Sequence, residues 1–302
     1  MPGLPLTLLG HLRPDVPGLT LTLLGHLRLS AASALVCHRQ RLWLVADDAL
    51  NLQQYDLGGT LQAEWPLLPG ALPEQAKARK KLKPDFEALA LLPDGALLAL
   101  GSGSKANRRR GCHFMDGEVR PIDLGPLYRH LETLLQELNL EGAVVWGEHL
   151  LLAQRGNGQG GENALILLDL AQALRDLEAG QLSAAALLRL VPLQLGVLDG
   201  VPLSLTDLAR APDGWLYFSA AAEATDSSYL DGACSGSVLG RLNADLSLAD
   251  LVRLDPVAKI EGLAFAPDGS LLLVADADDP TVPAPLFCVS PAALAGAGWG
   301  VV

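Results

Sequence analysis

Cysteine is scarce and scattered. Cys37, Cys112, Cys234 and Cys288 form no Cys-x-x-Cys pair, which excludes a zinc knuckle or a dithiol redox motif. They read as reduced, packed thiols of a cytoplasmic protein. Basic residues are outnumbered, with 22 Lys and Arg against 34 Asp and Glu and a net charge of −12. General nucleic-acid binding needs a basic footprint to release counterions, so RNA and DNA are not expected partners. No apolar run approaches the roughly 18 residues of a membrane helix, and no membrane partner is expected. The start, Met1-Pro2-Gly3-Leu4-Pro5, lacks the basic opening of a secretory signal. Gly-x-Ser-x-Gly, His-Glu-x-x-His and Walker spacings are all missing, which leaves a serine-nucleophile mechanism without support. The six histidines recur at no fixed place; His113, nearest the basic residues described below, reads as structural.

What the chain has is apolar bulk and a repeat. Half of its 302 residues are apolar and 19% are charged, enough to bury a large core. Four segments share an acidic residue, a small or apolar pair, a turn and an apolar strand. They are Phe86-Glu87-Ala88-Leu89, Leu140-Glu141-Gly142-Ala143, Thr206-Asp207-Leu208-Ala209 and Ile260-Glu261-Gly262-Leu263. The acids stand 54, 66 and 54 residues apart, and one further step back reaches Ser33 in a degenerate fifth copy. Pro93-Asp94-Gly95, Pro212-Asp213-Gly214 and Pro267-Asp268-Gly269 are hairpin turns, in which proline presets φ and glycine takes a positive one. Paired strands on so long a period describe propeller blades and exclude a leucine-rich horseshoe, whose repeat is about 20–29 residues.

The expected fold is therefore all-β: a single five-bladed β-propeller over residues 1–302, with blades starting near 33, 87, 141, 207 and 261. Within residues 1–29, Leu-Thr-Leu-Leu-Gly-His-Leu-Arg occurs at 6–13 and again at 21–28; the second copy is expected to close the ring as the outer strand of the last blade. Residues 127–138 and 168–190 carry apolar residues at helical spacing and read as helices inserted between strands.

The first strand of each blade lines the axial channel. Glu87, Glu141, Asp207 and Glu261 are thus expected in one layer near one mouth, with Ser33 as its fifth member. Two unit charges about 6 Å apart repel by roughly 3 kcal/mol at an effective dielectric near 20. Several such pairs approach the ~5–15 kcal/mol net stability of a domain. A divalent cation, shared protons or basic side chains must neutralise them, and oxygen ligands at this density suit Ca²⁺ or Mg²⁺. The alternative is structural: each carboxylate accepts backbone N–H bonds from a neighbouring blade. Asp47 and Asp48, Glu223 and Asp226, and Asp276, Asp278 and Asp279 follow the second strands and are expected on the same face.

Nine of the 22 basic residues lie within residues 77–110, in the loops flanking the first two strands of the second blade. Lys105 and Arg108 belong to this patch, beside Gly101-Ser102-Gly103-Ser104, and are expected to face the acidic ring. The patch suits a small anionic ligand, or it is a solvated loop balancing the acids. It lacks the interleaved aromatics of a single-strand nucleic-acid binder.

Asp85-Phe86-Glu87-Ala88-Leu89, Leu140-Glu141-Gly142 with Gln154-Arg155-Gly156, Leu205-Thr206-Asp207-Leu208 and Ile260-Glu261-Gly262-Leu263 resemble a group of mostly bacterial propellers of uncharacterised function. That group is similar, more loosely, to domains named for esterase-like activity of phytase. The resemblance implies a channel-mouth site in which Glu87, Glu141, Asp207 and Glu261 are the matching positions. Asn107, Arg108, Arg155, Glu223 and Asp276 would surround them. On this reading Glu87, Glu141, Asp207, Glu261 and Asp276 are the candidate metal ligands. Lys105, Asn107, Arg108, Arg155 and Glu223 are the candidate substrate-binding residues. The function expected is metal-assisted hydrolysis of a small anionic ester, phosphate or lactone; the competing expectation is a non-catalytic propeller that binds a ligand or a protein partner.

Overall fold

The five copies of the repeat become five sheets arranged around an axis, in a computed structural model that describes residues 18–157, 161–224, 232–297 and 299. Blade one comprises Ala32–His38, Arg41–Ala46, Asn51–Tyr55 and Leu61–Pro66; blade two Phe86–Leu91, Leu97–Gly101, Arg110–Met115 and Glu118–Asp123. Blade three comprises Leu140–Trp146, His149–Gln154, Ala164–Asp169 and Leu187–Pro192. Blade four contains Val201–Arg210, Leu216–Ala224, Ala233–Leu242 and Leu248–Asp255, extended inside by Val197–Leu198 and outside by Leu19–Thr20. Blade five contains Lys259–Phe265, Leu271–Asp276 and Pro285–Val289. Its outer edge is covered by Thr22–His26, antiparallel to Pro285–Val289, so the second copy of the N-terminal octapeptide closes the ring. The first copy lies outside the described residues.

The strands are apolar on both faces because each blade packs between two others. Leu97 and Ala99 join the cluster shared with blade one, whereas Leu98 and Leu100 join the cluster shared with blade three. Leu271 and Leu273 likewise face blade four, and Leu272 and Val274 face blade one. Five such clusters, one between each neighbouring pair, make the core. At about 25 cal/mol per Å² of apolar area removed from water, these interfaces dominate the favourable side of folding. The Pro-Asp-Gly turns form as expected: Gly95 has φ +92°, and Asp94 accepts a hydrogen bond from the Ala96 N–H at 3.0 Å.

The inserted helices are shorter than their apolar spacing suggests. The first is Gly125–Leu131, after which the chain turns inward toward blade three. The second is Leu170–Glu178, capped by Asp169 and stopped near Gly180 at φ +78°. Leu187–Pro192, read as its continuation, is instead the outer strand of blade three, paired with Ala164–Asp169. Leucine-rich sequence satisfies helical and strand spacing alike, and the open edge of the sheet decides. Among the described residues no helix is long and apolar enough to cross a membrane.

Candidate channel-mouth site

Every innermost strand carries a one-residue register shift at the same level. The residues passed over are Ser33, Glu87, Glu141, Thr206 and Glu261. A bulge leaves its extra residue out of the ladder and re-aims its side chain. The blade-four equivalent of the glutamates is therefore Thr206, which corrects the assignment of Asp207 to the ring. Thr206 Oγ1 donates to the Ile260 carbonyl at 2.7 Å, tying blade four to blade five. Asp207 occupies the next position, where the other blades have Ala34, Ala88, Gly142 and Gly262. It is 1% exposed and accepts N–H bonds from Leu208 at 2.8 Å, from Leu263 at 2.9 Å and from Leu35. A single buried carboxylate thus joins the central strands of blades four, five and one. Asp207 takes the structural role of accepting backbone N–H bonds from neighbouring blades. A Cβ on Gly142 would lie 2.8 Å from Asp207 Cα, so the inner strands of blades three and four pack closely at this level.

Beyond this layer, three sets of equivalent positions build the mouth. Two residues before each bulge stand Asp85, Asn139 and Lys259; period two puts them on the same side as the bulged glutamates. Asp47, Ser102, Arg155 and Asp276 stand at the ends of the second strands or just beyond them. Their backbones tie back to the same level, with Ser102 N–H on the Asp85 carbonyl at 2.9 Å and Arg155 N–H on the Asn139 carbonyl at 2.8 Å.

Arg155 lies across the axis. Its Nη1 is 3.2 Å from Glu141 and 3.5 Å from Glu261, and its Nη2 is 2.7 Å from Glu223. Lys259 Nζ is 3.2 Å from Glu261, 2.8 Å from Asp278 and 3.8 Å from Glu223. On the other side Lys83 contacts Asp47 and lies 3.0 Å from Asp85, while Arg108 is 2.6 Å from Asp85. Asn139 donates to Glu141 at 2.5 Å and Ser102 to Asp85 at 2.6 Å.

Basic side chains thus supply much of the neutralisation that the ring requires, and protons supply more. Burial pushes the Glu141 carboxyl up to about 8, although Arg155 opposes the shift. Burial raises Glu87 well above the carboxylate range, with Glu141, Asp85 and Asp47 adding to it. Burial also takes Asp276 to about 7 and Asp47 to about 6. Burial works against the charge on Lys83, but Asp47, Asp85 and Glu87 outweigh it and hold the ammonium well above its ordinary value.

The structure brings together Glu87, Glu141, Glu261, Arg155, Glu223 and Asp276 among the expected site residues, and Arg108 beside Asp85. Lys105 is exposed, and Asn107 donates to the Lys81 and Lys83 carbonyls at 3.3 Å, bracing the short helix Ala76–Leu82 that replaces the expected loop. The basic patch is divided: Lys83 and Arg108 turn inward, Arg79 pairs with Asp48 at 3.0 Å and Arg109 with Glu132 at 2.5 Å. Asp226 lies outside the described residues. Lys259 and Asn139 escaped the sequence reading, although each stands two residues before a ring glutamate. That spacing is the signal that finds them.

The family model for a family of unknown function, DUF6929, matches residues 28–290, spanning all five blades. The chain belongs to that family. Its fold is that of known propellers. Glutaminyl cyclase of Myxococcus xanthus is similar over 89% of this chain and 95% of its own, with a TM-score of 0.50 and 14% identity. A putative gluconolactonase gives 0.44 and 11% identity over 93% and 94% of the two chains. Virginiamycin B lyase of Staphylococcus aureus gives 0.38 and 12% over 84% and 67%. Such identities speak to the fold alone. No curated protein matches the chain in sequence.

Asp47, Asp85 and Glu87 each bring an oxygen within 4.8 Å of the others, close enough for three carboxylates to hold a metal ion. The Lys83 ammonium, however, already contacts Asp47 and lies 3.0 Å from Asp85. The triad as built fits a resident lysine cation, and a divalent ion would have to displace it.

Proposed function

We propose that the channel mouth binds a small neutral or positively charged polar molecule and exchanges a proton with it through Glu87 and Glu141. The observation that carries this reading is the surplus of acid. Eight carboxylates (Asp47, Asp85, Glu87, Glu141, Glu223, Glu261, Asp276 and Asp278) share four cations (Lys83, Arg108, Arg155 and Lys259) among the described residues. Glu261 Oε2 is buried and receives no hydrogen bond among the described residues. Perturbed carboxylates gathered at one end of the propeller axis are an expense to folding that function accounts for better than packing does.

Carboxyls raised in this way retain their protons at neutral pH: one can give its proton to the leaving oxygen and recover a proton from the attacking water. Hydrolysis of a neutral ester or lactone is the reaction class this pair serves best. An anionic ester or phosphate, the substrate suggested by the basic patch and by the looser likeness to phytase-type domains, is less well supported. Arg155 is engaged by three carboxylates and Lys259 by three, and the local charge repels an anion.

A second reading rests on the triad of Asp47, Asp85 and Glu87: Ca²⁺ or Mg²⁺ displaces Lys83 and supplies Lewis-acid chemistry. Both readings are tested by assaying neutral esters and lactones with the wild type, Glu87→Gln and Glu141→Gln. Hydrolysis that drops at least about 100-fold in both variants supports the carboxylate pair. Hydrolysis unchanged by either variant contradicts it. Stabilisation by Ca²⁺ or Mg²⁺ that strengthens in Lys83→Gln favours the second reading.

A further inference from the structure

Aromatic residues make up only 5% of the chain, yet three of them meet at one place on the face opposite the acidic mouth. There the hairpin turns of blades one and two frame a cleft of about 490 Å³. Trp43 and Trp65 stack with ring centroids 5.3 Å apart and planes 26° apart, and Phe114 completes the wall at 5.5 and 5.1 Å. A cleft of this size and lining is of the kind that encloses small molecules.

Two buried ring nitrogens back this wall, and two arginines form its rim. Trp43 Nε1, a donor only, is buried without a hydrogen-bond acceptor among the described residues, and His38 Nε2 is buried without a partner. Burial, with Arg39 nearby, lowers the His38 pKa, so the neutral ring can donate or accept. Arg39 and Arg41 are exposed at the rim, and Asp116 is the one acid among the lining residues. Arg39 and Gln40 hold left-handed backbone at φ 50° and 57°, which turns the chain tightly and sets both arginines beside the cleft.

We propose that this cleft is a second ligand site, taking a small planar aromatic molecule that carries a carboxylate or a sulfonate. Its ring lies against the indole wall, and its anion meets the Arg39 and Arg41 guanidiniums.

The test is calorimetric titration of the full chain with naphthoate and with naphthalenemethanol, which share a ring and differ in charge. Naphthoate is expected to bind saturably, at least about tenfold more tightly than the alcohol. The Arg39→Gln, Arg41→Gln double variant changes two exposed side chains and so preserves the fold. It is expected to lose about tenfold in naphthoate affinity and to leave the alcohol unaffected. Trp65→Leu should weaken both ligands, and Glu87→Gln, at the opposite mouth, should weaken neither. Absence of naphthoate binding at millimolar concentration overturns the site, and naphthoate affinity that survives the arginine changes overturns its anion selectivity.

Discussion

Two carboxylates one position apart in their blades do opposite work. Asp207 accepts N–H bonds from Leu208, Leu263 and Leu35, and its removal leaves three buried donors without an acceptor. Asp207→Ala is expected to cost about 3–5 kcal/mol, read as a lowered midpoint in urea unfolding. Glu87 is surrounded by Glu141, Asp85 and Asp47, whose charges raise its pKa further. Glu87→Gln removes a carboxyl that the folded state must either keep protonated or ionise among like charges, and should stabilise the protein by at least about 1 kcal/mol at pH 8, read as a raised Tm. At pH 5, where the Glu87 carboxyl is protonated and uncharged, the variant should match the wild type. A destabilised Glu87→Gln protein at pH 8 would instead make Glu87 a needed counter-ion or ligand.

At the scale of elements, the bulge in each innermost strand sorts the two roles. It carries Glu87, Glu141 and Glu261 to the mouth, and it leaves the following small residues where neighbouring inner strands pack closely. Gly262 belongs to that layer: a Cβ there would lie 2.9 Å from Leu35 N and 2.8 Å from Val274 Cγ2. Gly262→Ala should therefore destabilise by about 1–3 kcal/mol, measured by thermal unfolding. Much of this architecture was legible in the sequence. Pro-Asp-Gly turns, the period of 54 and the recurring octapeptide all report local or directly repeated chemistry. The blade-four offset was not legible. Spacing was matched on acidity, and Asp207 is acidic where its true ring equivalent, Thr206, is not. Residues 187–190 were equally ambiguous, because leucine satisfies both periods until an open sheet edge selects one. The resemblance puts Arg155 near the ring, but its span to Glu223 and Glu261 joins residues 68 and 106 positions away, which no local pattern reports. Lys83 read as part of a surface patch because its inward turn depends on partners at 47 and 85, distant in sequence.

Taken as a whole, the molecule confines its electrostatic strain to one end and builds the rest from five apolar interfaces. That separation has a consequence for pH. Folding raises Glu141 from an ordinary 4.5 to about 8, Asp276 from 3.8 to about 7 and Asp47 from 3.8 to about 6. The folded state therefore binds more protons than the unfolded chain across this interval, and stability falls as pH rises from about 4 to about 8. The ammonium groups of Lys83 and Lys259, both held above their ordinary values, remain charged throughout that window and contribute no slope. Most proteins whose buried carboxylates are fully paired behave in the opposite sense at acidic pH.

The most direct measurement is the Tm of the wild type and of the Glu87→Gln, Glu141→Gln double variant at pH 5.5 and pH 8, by calorimetry in chelator-treated buffer. A mouth with surplus carboxylates predicts that the wild type melts at lower temperature at pH 8, and that the double variant loses a clear part of this difference. The remainder belongs to the other raised carboxyls, Asp47, Asp207, Glu223 and Asp276. An equal pH dependence in both proteins would contradict the account, because the protons it assigns to Glu87 and Glu141 would then reside elsewhere.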